Sequence, residues 1–106
     1  MSNIIDISTK LTNEKPKIKI SEGKIYTVNN SKNTVLIVNQ RMSENNSNEI
    51  ELIDDALKLL LGEKAFKEID SMQLSFVDYK TIFIAVMAAI SGETYEDTES
   101  RFQNSK

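Results

Sequence analysis

Residues Tyr79 to Gly92 read YKTIFIAVMAAISG, and from Thr81 to Ile90 no side chain carries a charge. This stretch constrains the fold more than any other. Read as a helix, it puts Phe76, Tyr79, Phe83, Val86, Met87 and Ile90 on one face. Val77, Ile82, Ile84, Ala85, Ala88 and Ala89 fall on the other. A helix apolar all round has to be covered on all sides. A membrane span would need roughly 20 apolar residues, and Asp78, Lys80 and Glu93 bracket this run too closely. Two ways of covering it remain. Either helices of the same chain surround it, or one face is left for a second copy or a partner. Exposing four or five such side chains would leave a patch of the size that marks an interaction site. On helix geometry, Phe83, Ile84, Met87, Ala88 and Ile90 are the candidate partner-binding residues, with Met87 suited to an adaptable surface.

The remaining chain supplies the elements around that helix. Ser75 is placed to cap it, with Asp78 at the third helical position, and Gly92 to end it. Upstream, Ile50, Ile53, Leu57, Leu60 and Leu61 form one stripe of a helix that Asn48 caps and Gly62 terminates. A shorter helix over about 63–71 turns either Phe66 and Ile69, or Ala65, Ile69 and Met72, inward. Residues 32–44 contain VLIV, which suits a strand. They also offer Ser31 as a cap and Val35, Val38 and Met42 at helical spacing, and the balance favours a helix. Residues 45–48 are a polar break. KIKI (17–20) and KIYTV (24–28) flank Ser21-Glu22-Gly23, a hairpin signal, with Ile18, Ile20, Ile25 and Val28 expected on its buried side. Residues 93–103 read as a short acidic helix anchored by Tyr95 and Phe102. The first 15 residues are a loose arm, polar with scattered Ile and Leu, to be ordered only against a partner. The expectation is one α+β domain over 16–104, mostly helical, with an N-terminal hairpin and four or five helices.

Function is bounded mainly by what is missing. The chain of 106 residues has no cysteine, histidine or tryptophan. Disulfides, thiol chemistry, imidazole bases and His- or Cys-ligated metals are therefore out. Gly23, Gly62 and Gly92 lie too far apart for a phosphate-cradling loop. Glu51, Asp54 and Asp55 at helical spacing have the chemistry for a divalent cation, but they read better as a solvated acidic face, as do Glu93, Glu96, Asp97 and Glu99. Tyr79 and Tyr95 would serve acid–base work only with a depressed pKa. No enzyme, cofactor or metal site is expected. The net charge of −3 gives nucleic-acid binding no support. Residues 1–46 carry +3 and residues 47–106 carry −6. Lys15, Lys17, Lys19 and Lys24 form a basic patch on the outer hairpin face. The N-terminus lacks a signal peptide's basic opening and apolar core, so a cytoplasmic location is expected.

KIYTVNNSKNTVL, followed by IDDALKLLLGEKAFKEIDSMQLSFVDYKTIFIAVMAAISGE, resembles the small tail assembly chaperones of siphophages and prophages of Gram-positive bacteria. The resemblance covers residues 17–95, and it rests on helix signatures with no catalytic motif among them. It implies a non-catalytic protein that binds the tape measure protein, helps recruit tail tube subunits and is absent from the finished virion. It also implies a homo-oligomer in the host cytoplasm, and the shorter of two forms made by ribosomal frameshifting. Two other readings of the same residues remain. One is a small dimeric regulatory or inhibitor-type protein. The other is a ring-forming tail or connector component.

Overall fold

The computed structural model describes residues 3–43 and 48–104, with side chains through Arg101. An antiparallel hairpin, β1 (Lys17–Ser21) and β2 (Lys24–Thr27), is followed by five helices. They are α1 (Lys32–Ser43), α2 (Glu49–Leu61), α3 (Glu63–Ser71), α4 (Phe76–Ser91) and α5 (Tyr95–Asn104). The α+β, mostly helical architecture is the one expected, and residues 32–43 are helix.

The hairpin turns at Glu22-Gly23, where Gly23 has φ +79°, a conformation that favours glycine. Ile18 lies opposite Tyr26, and Lys19 opposite Ile25. Ile18, Ile20 and Tyr26 face the helices, whereas Ile25 is 56% exposed. The expected inward placement of Ile25 is thus overturned, and Tyr26 takes the position. The reason is the two-residue period of a strand: Tyr26 and Val28 point in, so Ile25 shares the outer face with Lys17 and Lys19. Val28 itself lies just past β2 and is fully buried. Its N–H donates to the Pro16 carbonyl at 2.8 Å, and the Asn29 N–H donates to the Leu60 carbonyl at 2.8 Å. The first bond continues the hairpin ladder, and the second ties the hairpin to the end of α2.

The helix ends follow local chemistry. Asn48 Oδ1 accepts from the Glu51 N–H at 2.8 Å, and Ser75 Oγ from the Asp78 N–H at 3.2 Å. Each satisfies a backbone donor that the first helical turn leaves open. Ser31 Oγ accepts from the Thr34 N–H at 3.4 Å and caps α1 in the same way. Gly62 (φ 93°, ψ 160°) separates α2 from α3 in a region open essentially to glycine alone.

One core joins all of this. It unites Val28, Val38, Ile53, Leu57 and Leu60 with Phe66 and Ile69, and with Ile82, Phe83, Ile84, Val86 and Met87. Helix α2 packs on α1, α3 and α4, while α4 also meets α5 and β1. The chain therefore surrounds α4 with its own elements. Each fully buried aliphatic or aromatic side chain there contributes about 1.5–3 kcal/mol. Among the described residues, no helix is long and apolar enough to cross a membrane.

Candidate functional site

Apolar surface stays open where α4 emerges from the core. Its first turn overhangs the bundle, and Phe76 is 41% exposed. The first turn of α2 does the same, with Ile50 52% exposed. Between them runs a groove of about 240 Å³ with Ile69 and Leu74 in its wall. The α3–α4 joint shapes one end. Met72 and Gln73 close the last turn of α3 through N–H bonds to the Ile69 and Asp70 carbonyls, at 3.1 and 3.2 Å. Gln73 then takes φ +52°, a left-handed conformation that redirects the chain into α4.

Four polar side chains line this groove, Asp54, Asp70, Gln73 and Tyr79, and two of them pair with each other. The Tyr79 hydroxyl donates to Asp54 Oδ1 across the α2–α4 contact. Burial first, and the Asp54 carboxylate second, push the Tyr79 pKa well above its ordinary value. Tyr79 is thus a fixed donor at neutral pH. Asp55, next along α2, pairs with Arg41 at 3.3 Å, and Glu49 pairs with Lys80 at 3.0 Å. Among the described residues, no three His, Cys, Asp or Glu side chains cluster to hold a metal ion. The groove offers apolar contact with a rim of carboxylates.

A second groove, of about 310 Å³, lies between β1 and α4. Ile18, Ile20, Leu74, Ile82 and Ala85 form its apolar wall, with Lys19, Asp78 and Thr81 at the rim.

The candidate partner residues on α4 lie elsewhere. Phe83, Ile84, Met87 and Ala88 are buried inside the chain, and Ile90 is half-buried against the core. The structure brings them together as packing, not as an open face. Contact with them would require the bundle to open. Periodicity puts Ile50 on the apolar stripe of α2 and Phe76 on one face of α4, and both are exposed groove residues. Their position in the first turn after a cap is the signal that sets them apart, because a helix start can project past the core.

The acidic cluster in the C-terminal segment also splits. Thr98 is fully buried, and its Oγ1 donates to Glu93 Oε1 at 3.1 Å. Arg101 donates to Glu93 Oε2 at 2.7 Å. Glu93 therefore clamps α5 to the end of α4, whereas Glu96 and Asp97 are solvated. The expected anchor Tyr95 is half-buried on the core. Phe102 lies outside the described side chains.

No protein-family model, curated protein or solved structure matches this chain.

Proposed function

We propose that this chain is a non-catalytic tail assembly chaperone that binds the tape measure protein and helps recruit tail tube subunits. The observation that carries the reading is the open α2–α4 groove, with Ile50 and Phe76 exposed at its edges. A tape measure protein is a long amphipathic helical rod, and an amphipathic helix laid into an apolar groove is a general recognition mode. Such a holder needs apolar contact, reversible binding and a charged surface that keeps the complex soluble. The groove is small and has a carboxylate rim, which suits a weak, releasable grip on one helix face at a time.

Co-expression with the tape measure and tail tube proteins of the same genome tests this. The chain should raise the soluble tape measure protein and co-purify with it. Ile50→Glu combined with Phe76→Glu should abolish both effects while circular dichroism stays that of the parent. Tape measure solubility that ignores the chain would refute the proposal.

A further inference from the structure

The first residues of the chain hold aliphatic side chains with nothing to cover them. Ile4 and Ile5 are 85% and 86% exposed, and Ile7 and Leu11 are also open. The β1–α4 groove is an open, mainly apolar site in the same chain. It is lined by β1 residues and by no β2 residue, so it lies along the edge of β1 that faces away from β2. In a two-stranded sheet that edge is unpaired. Among the described residues, no backbone hydrogen bond outside the hairpin reaches it.

The two features match residue by residue. Along β1, Ile18 and Ile20 point into the groove and Lys19 between them points out. Along the arm, Ile5-Asp6-Ile7 has the same apolar–charged–apolar alternation with the opposite charge. A strand formed by 3–7 would be as long as β1 and would place Asp6 on the lysine face. Because the pattern reads the same from both ends, it fits either strand direction. Lys17 and Lys19 guard the edge against indiscriminate pairing. Lys19 pairs with Glu22 at 2.8 Å at the exposed turn, and Asp6 accepts from Ser8 within its own arm, so the added strand brings Asp6 to the Lys17–Lys19 face by exchanging exposed contacts.

We propose that residues 3–7 of one copy add as a third strand to the free edge of β1 in a second copy, with Ile5 and Ile7 in the β1–α4 groove and Asp6 beside Lys19. Reciprocal exchange closes a two-fold dimer. A second copy supplies the strand because the chain's own arm lies clear of the groove, with Ile5 86% exposed. The Pro16 carbonyl accepts from Val28 and the Glu14 carbonyl from Asn30 Nδ2 at 3.5 Å, so the arm's base continues the β1–β2 register in line with β1. Residues 8–15 span up to about 26–29 Å when extended, enough to cross to a neighbour. The exchange is independent of the tail-assembly reading.

The absence of cysteine makes a clean test possible. Ile5→Cys is made in one preparation of the full chain, and Thr81→Cys in a second carrying a distinguishing isotope label. Both positions are exposed, so folding is not at stake. On mixing and mild oxidation, the expected product is a disulfide-linked dimer of one labelled and one unlabelled chain, in excess over same-variant dimers. Light scattering of the parent should give twice the 12.0 kDa chain mass at micromolar concentration. Ile5→Asp with Ile7→Asp should return it to the mass of one chain. A monomeric parent would overturn the proposal. So would a dimer indifferent to the arm variants, or an Ile5→Cys/Thr81→Cys chain that closes only on itself when dilute.

Discussion

The Tyr79 hydroxyl and Asp54 join α2 to α4 at the residue scale. Tyr79→Phe leaves a half-buried carboxylate without its donor and should cost about 1 kcal/mol in urea unfolding at neutral pH. The pH dependence has a definite sign. The folded-state pKa of Tyr79 is raised, so its contribution is complete below the unfolded value of about 10 and is lost as pH rises beyond it. The parent should lose stability relative to Tyr79→Phe above pH ~10, and the difference should be constant from pH 7 to 9. Tyr26, also raised by partial desolvation and by Glu68, is present in both proteins and cancels. Two glycines give a second comparison. A methyl group would meet nothing within 4 Å at Gly62 or at Gly92, so alanine there reports backbone strain alone. Gly92 (φ 73°, ψ 13°) is left-handed helical, a region other residues enter for about 1–2 kcal/mol. Gly62→Ala should be the more destabilising of the two, by thermal or urea unfolding, because its conformation is nearly closed to other residues.

At the scale of elements, α4 carries the fold. Val86 and Ile84 sit within the core, so Ile84→Glu puts an unpaired carboxylate there and should unfold the protein, not merely block a partner. Leu57→Ala, at a fully buried core position of α2, should cost about 2–5 kcal/mol. By contrast, Val77→Ser in the first turn of α4 is 73% exposed at the start and should change stability by no more than about 0.5 kcal/mol. Circular dichroism with urea titration separates these outcomes.

These elements also show how far the residues alone could be read. The caps at Asn48 and Ser75, the stops at Gly62 and Gly92 and the apolar period of α2 are local signals, and the structure keeps each of them. Helix α4 was legible as a buried helix, but which elements bury it depends on the tertiary arrangement, and no local pattern encodes that. The exposure of Ile50 and Phe76 was not legible for the same reason. Periodicity puts Ile50 on the apolar stripe of α2 and Phe76 on one face of α4, but does not say that their first turns lie at the edge of the core. Ile25 was misplaced by one step of a strand, which reverses its face. The Glu93–Thr98–Arg101 clamp has no signature beyond its spacing, because acidic residues at a helix start are usually just favourable to the dipole.

For the whole molecule, elements of the same chain pack around α4, and apolar side chains stay exposed at the periphery, in two grooves and an arm. Hydrogen exchange of the full chain carrying Ile5→Asp and Ile7→Asp, in which arm exchange cannot make global stability depend on concentration, is followed at α4 amides from Ile82 to Ala88 over a hundredfold dilution. Protection is expected at the level of global unfolding, unchanged by dilution, because elements of the same chain cover that helix. Protection that falls away on dilution would contradict it, and would show that α4 needs a second molecule to be buried.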